Sequence, residues 1–195
     1  TAAEAMIVEN KSLSLEVKNQ NLEKIESSDT LDLGLRVFIN SQSACVSISS
    51  VNEKVIDEMA MRAVAMAKES TPDELNLPAE SNEILNDWNE DAFELYDDNH
   101  LNQNFKKLEH LTQEVEDAAL QIKDISQCES TGFSSNLSNF YLRTSNGFSG
   151  GYKKTSNQLF CSAIAGSGSS MERDFAFEGR VFFNDLPNPA SIGRL

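Results

Sequence analysis

Few of the residues able to do chemistry stand at spacings that let them act together. The two histidines, His100 and His110, lie ten positions apart, and neither is followed by Glu. Catalytic zinc needs three protein ligands, usually including two His one helical turn apart so that both aim at one ion. This pair does not meet that requirement. Gly147-Phe148-Ser149-Gly150-Gly151 has the Gly-x-Ser-x-Gly form of a nucleophile elbow. That device works on a strand-to-helix turn, with a histidine arriving later in the chain. Here the following residues have strand character and both histidines come earlier, so no hydrolase is expected. Lys154-Thr155 follows Lys153 and not Gly, which removes a phosphate-binding P-loop. Asp87-x-Asn89-x-Asp91 opens like a calcium loop, but Ala92 stands where Gly must turn the chain and Asp98 where a bidentate Glu must close it. A solvated acidic loop is expected there. Cys45, Cys128 and Cys161 form no Cys-x-x-Cys pair and no metal spacing. Cys161 lies in an apolar run and is expected to pack as a small hydrophobe. The residues alone therefore predict no catalytic, cofactor-binding or metal site.

A chain of 195 residues is one large domain or two small ones, long enough to bury a core. Its net charge of −15 argues against nucleic acid, whose phosphates call for clustered Lys and Arg. Residues 70–99 hold ten acids and no Lys or Arg, together with Pro72 and Pro78. This segment is expected to be an exposed acidic connector, anchored at most by Trp88 and Phe93. No apolar run is long enough for a transmembrane helix. The N-terminus has neither the basic nor the apolar region of a secretory signal. It also lacks an initiator Met, which suggests a trimmed chain. Three widely spaced cysteines make no disulfide framework and fit a reducing, cytoplasmic setting.

The elements that must position any site follow from periodicity. Leu13–Val17, Leu33–Ile39 and Cys45–Ser49 alternate apolar and polar residues, as half-buried strands do. The spacer Asn40–Ser43 predicts a hairpin, and so antiparallel pairing. Ser50 and Glu53 have the spacing of a capping box. Val55, Ile56, Met59, Ala60, Ala63, Val64 and Ala67 then mark one helix face, with Pro72 ending the helix. A second helix is predicted from about Asn99, with a stripe of Leu101, Phe105, Leu108, Leu111, Val115, Ala119 and Ile122. Beyond Lys123, strands are predicted around Phe140–Thr144, Gln158–Ala165 and Phe175–Phe183, with Gly-containing turns at 147–151 and 166–168. Strands at both ends without βαβ alternation predict an α+β fold: an antiparallel sheet with two main helices packed on one face.

Asn146-Gly-Phe-Ser-Gly-Gly-Tyr152, then Cys161-Ser-Ala-Ile-Ala165 and Met171-Glu-Arg-Asp-Phe175, resemble the N-terminal domain of the TldD/PmbA family. Earlier pieces agree: Gly34–Ile39, the capped helix from Ser50, and Leu95-Tyr96-Asp97. Asn188–Arg194 resembles the start of the helix that follows the family sheet. The likeness runs over residues 1–195 in order and favours the PmbA, or TldE, branch. It implies a cytoplasmic bacterial protein from a group named as modulators of DNA gyrase and counted among metalloproteases. Family chains are more than twice this length, and the zinc motif of TldD-type members, His-Glu-x-x-x-His, lies beyond the matched region. PmbA-type members lack those ligands and act as the non-catalytic partner of TldD in processing peptides, including peptide antibiotic precursors. The implied partners are thus a TldD-type subunit or a second copy of the chain, and peptide substrates. Zinc is implied only in the TldD-type partner, and neither direct nucleic-acid nor membrane binding is implied.

No His-Glu dipeptide occurs in the chain, so no family zinc ligand transfers to it. Alone it is expected to hold no stoichiometric zinc and to cleave no peptide. Two roles stand side by side: the N-terminal domain of a peptide-processing subunit, or a stand-alone interaction module from a truncated member. The reading frame beyond Leu195 discriminates between them. Gly147, Gly150 and Gly151 permit positive φ or close backbone approach. Whether they only shape a turn or hold a substrate-contacting loop stays open at this point, as does whether Phe148 and Tyr152 pack on the core or meet a partner.

Overall fold

A computed structural model of the chain describes residues 1–85, 87–99 and 104–195. It is α+β. The strands are β1 (Ala2–Lys18), β2 (Asn21–Ile39), β3 (Gln42–Ile48), β4 (Ile125–Thr144), β5 (Ser149–Ala165) and β6 (Glu172–Arg180). There are two long helices, α1 (Glu53–Glu69) and α2 (Phe105–Leu120), and a short one after β6, α3 (Pro189–Ile192). The strands form one antiparallel sheet in the order β3-β2-β1-β4-β5-β6. Tight turns explain the antiparallel pairing. Asn19 and Gln20, both at positive φ (51° and 62°), link β1 to β2 in the two-residue form whose twist suits a hairpin. Asn40, φ 55°, starts the β2–β3 turn at the predicted place, with Leu33 opposite Ile48 and Ile39 opposite Gln42.

The chain divides into two compact units: Thr1–Asn10, Asp29–Glu94 and Ser138–Lys153 form one, and Lys11–Ser28, Leu95–Leu137 and Lys154–Leu195 the other. In the first, α1 packs on the β2–β3 hairpin. Ala63 and Ala67 are fully buried against Val37, with Leu35, Ile39, Ala44 and Val46 around them. The two small residues let the helix approach the strands closely. The helix cap differs from the sequence expectation. Asn52, not Ser50, is the N-cap, its extended backbone placing the side-chain carbonyl to accept from Val55 N at 3.1 Å. At the other end Gln42 Nε2 donates to the carbonyls of Lys68 (3.0 Å) and Ser70 (2.6 Å), which the helix itself leaves without partners.

The acidic segment is mostly exposed but tied down in places. Asp73 N donates to Ser41 O at 2.6 Å, and Arg36 donates to the Asn76 side chain. Asn76 in turn donates to Ser43 Oγ. One acid departs from the expectation of exposure. Asp97, in the second unit, is only 4% exposed, and its carboxylate accepts from the backbone amides of Phe183 and Asn99, each at 2.9 Å. Two backbone donors offset the desolvation that would otherwise expel it.

The core of the second unit joins Leu15 and Val17 of β1 with Leu108, Val115 and Ala119 of α2, and with Phe133, Leu159, Phe183 and Ile192. The α2 stripe is as predicted from Leu108 to Ala119. The helix begins at Phe105 behind an Asn104 cap, and Ile122 lies past its end, 38% exposed. Leu101 and His100 lie outside the described residues. Gly193, after α3, abuts α2 so tightly that a Cβ there would sit 2.2 Å from Val115 O. The buried face of α2 also carries Thr112 and Glu116, 0% and 1% exposed, which the apolar stripe did not include. Glu116 Oε1 accepts from Asn19 N at 2.9 Å, and Oε2 accepts from Gln20 N at 2.7 Å and Gln20 Nε2 at 2.9 Å. A helix carboxylate thus seals the β1–β2 turn.

Candidate functional site

The most elaborated surface of the first unit grows from the glycine-rich β4–β5 turn. Gly147 takes φ 108°, a conformation side chains resist. Thr144 closes the turn, its N–H donating to Phe148 O and its Oγ accepting from Phe148 N. Gly151 is required for a different reason. A Cβ there would lie 2.1 Å from Phe140 O on the adjacent strand. Gly150 leaves room for an aromatic ring, since a Cβ would come within 3.0 Å of Trp88 Cγ.

Trp88 fills that space. Its indole Nε1 donates to Gly151 O at 2.6 Å, and its ring meets Phe93 (5.3 Å between centroids) and the edge of Phe148 (5.6 Å). Phe93 also meets Tyr152, which stacks on Phe140 at 5.0 Å. Phe148 and Tyr152 therefore pack within the chain, and the expected anchors of the acidic segment, Trp88 and Phe93, are the ones used. Beside this cluster lies a cavity of about 470 Å³ bounded by Trp88, Glu90, Asp91, Phe140, Tyr141 and Lys153. Ring faces, strand backbone, two carboxylates and an ammonium suit non-covalent capture of an extended, amphipathic chain.

The other sequence candidates fall elsewhere. Ser149 is exposed, shares a 2.6 Å hydrogen bond with the Tyr141 phenol and leads into strand β5, not into a helix. Asn89 Oδ1 accepts from Asp91 N at 3.1 Å, so this carbonyl caps a short 3-10 turn. His110 Nε2 lies 3.3 Å from Glu114 Oε1 on the exposed side of α2. Cys45 is exposed.

Sequence spacing gave no sign of one pairing. Cys128 on β4 and Cys161 on β5 are both buried, with their sulfurs 3.7 Å apart. The Thr131 hydroxyl donates to Cys161 Sγ at 3.4 Å. The sulfur of Cys128 and then this hydroxyl stabilise a Cys161 thiolate, pulling its pKa down to about 7 against the opposing effect of burial. The same partnership and burial push Cys128 upward. Neither this pair nor His110–Glu114 supplies the three ligands zinc needs, and no group of three or more His, Cys, Asp or Glu converges among the described residues. These residues do not fit a zinc site.

Residues 3–67 match the family model described as PmbA/TldA metallopeptidase domain 1, and residues 98–195 match the PmbA/TldA metallopeptidase central domain. The chain belongs to the PmbA/TldD family. A Haemophilus influenzae protein named Metalloprotease PmbA homolog is 26% identical over 193 residues, covering 98% of this chain and 42% of the relative. Among solved structures, a Bacteroides thetaiotaomicron protein named for modulation of DNA gyrase superposes with a TM-score of 0.88 at 19% identity, over 100% of this chain and 44% of its own. TldE of Thermococcus kodakarensis gives a TM-score of 0.75 at 14% identity, over 98% and 42%. These likenesses establish the fold. The chain spans less than half the length of each of these relatives. No helix among the described residues is long and apolar enough to cross a membrane.

Proposed function

We propose that this chain is the N-terminal part of a PmbA/TldE-type, non-catalytic subunit of a cytoplasmic, peptide-processing metalloprotease. In this reading a TldD-type partner holds the zinc and cleaves the peptide bond. The residues described here provide a scaffold and a surface that receives the peptide. The observation that carries the reading is the aromatic cluster on the glycine-rich turn: Trp88 locked to Gly151 O, flanked by Phe93, Phe148 and Tyr152 beside a cavity walled by rings and charges. Such a wall binds side chains without reacting with them.

Trp88 is the one tryptophan in the chain, so its emission reports on this surface alone. Titration with an unstructured amphipathic peptide is expected to give a saturable change in Trp88 fluorescence that Tyr141→Ala weakens several-fold. No change at millimolar peptide would remove the peptide-binding part of the reading.

A further inference from the structure

We infer that Cys128 and Cys161 form an oxidation site, a buried dithiol that a hydroperoxide converts to an intramolecular disulfide joining β4 to β5. The pair is absent from the mechanism proposed above and does not depend on it. Its two sulfurs lie 3.7 Å apart across neighbouring strands, so bond formation needs an approach of under 2 Å to reach the roughly 2.05 Å of a disulfide. Both residues are 4% exposed, and the Thr131 hydroxyl donates to Cys161 Sγ at 3.4 Å. Cys161 also lines a cavity of about 290 Å³ with Ile122, Ala163, Asp174, Phe175 and Arg194, large enough to admit a small peroxide. Two nearly dry, adjacent thiols with a side cavity exceed what packing alone requires, because a small hydrophobe at either position would fill the same volume.

The chemistry balances without a further co-reactant. The Cys161 sulfur attacks one peroxide oxygen, the O–O bond breaks, and the other oxygen leaves as water or an alcohol after taking the thiol proton. Cys161 is then a sulfenic acid. The Cys128 sulfur attacks it, the S–O bond breaks, and hydroxide departs with the Cys128 proton as water. Two thiols have lost two electrons and one peroxide has gained them. Attack starts at Cys161 because its thiolate is the one stabilised, by Cys128 and by the Thr131 hydroxyl.

The test uses the full chain with Cys45→Ser, which removes the exposed thiol. Native protein is treated with hydrogen peroxide, alkylated in denaturant and weighed intact, with circular dichroism followed throughout. The expected product has lost two hydrogen atoms and accepts no alkyl group. Its non-reducing digest contains the Cys128 peptide joined to the Cys161 peptide, and dithiothreitol restores both thiols while the dichroism stays native. Any of three results would overturn the inference: both thiols still alkylated after peroxide, Cys161 carried to sulfinic acid with Cys128 intact, or the link forming only at urea concentrations that unfold the chain. Cys161→Ala in the same background is expected to leave Cys128 fully alkylated.

Discussion

Replacing Glu116 with Ala removes three hydrogen bonds at once. The carboxylate is 1% exposed and accepts from the backbone of Asn19 and Gln20 and from the Gln20 side chain, at 2.7–2.9 Å. A hydrogen bond to a charged group contributes about 1.5–3 kcal/mol net. The three do not simply add, because Asn19 is exposed and its amide regains water when the carboxylate is gone. Gln20 also keeps its exchange with Gln113, each side-chain amide donating to the other's carbonyl. The expected loss is about 3 kcal/mol, a large fraction of the 5–15 kcal/mol typical of a folded domain. Glu116→Gln keeps the shape but turns an amide NH2 toward a backbone donor, and about 1–2 kcal/mol is expected to be lost. Urea unfolding followed by far-UV dichroism reads both values as a fall in midpoint at constant slope. Hydrogen exchange at the Asn19 and Gln20 amides locates the effect. A Glu116→Ala chain within about 0.5 kcal/mol of wild type, or with unchanged exchange at those two amides, would refute the claim that this carboxylate holds the turn.

Gly151→Ala places a Cβ 2.1 Å from the Phe140 carbonyl and must displace a strand, so about 2–3 kcal/mol or more is expected to be lost in urea unfolding, with Trp88 emission shifted to the red. Calcium titration of Trp88 fluorescence is expected to show no micromolar saturation, because Asn89 is committed to its cap and position twelve of the loop is Asp98; saturation with a matching rise in Tm would refute this. Arg173, by hydrogen bond and charge and with help from the Ser162 hydroxyl, holds the Glu129 carboxyl below its ordinary 4.5. A depressed folded value gives stability that is present above 4.5 and lost as pH falls through the folded pKa. Arg173→Ala should therefore raise the Glu129 titration seen by NMR and reduce the acid sensitivity of the fold below 4.5.

Much of the architecture was legible in the sequence because it depends on local pattern. The Leu33–Ile39 alternation, the polar Asn40–Ser43 spacer and the Ala63/Ala67 stripe each determine their own element. Most strands proved longer than their apolar alternation, while β6 (Glu172–Arg180) lies three residues before the predicted Phe175–Phe183 and Phe183 starts a 3-10 turn. From Asn21 to Leu31 the side chains of β2 are exposed on both faces, so no period of two is imposed on them. Helix α1 is capped two residues past the predicted position, since Ser and Asn both cap and only the local backbone chooses between them. The candidate site was half legible. The glycines and the anchors Trp88 and Phe93 could be named, but Trp88 meets Gly151 at a separation of 63 residues, and only folding brings them together. Glu116 and the Cys128–Cys161 pair were hidden for the same reason. A polar residue on an apolar stripe, or two cysteines 33 apart, carries no local mark of its partner.

In the function proposed for this chain, zinc and catalysis reside in a different, TldD-type subunit of a peptide-processing complex. Cleavage of an unstructured peptide is assayed with this protein, with a TldD-type subunit of the same organism, and with the two mixed, and zinc is counted in each. No cleavage and no retained zinc are expected for the first, and a one-to-one complex with zinc-dependent cleavage for the mixture. Chelator-sensitive cleavage by this protein alone, with about one zinc retained per chain, would contradict that reading.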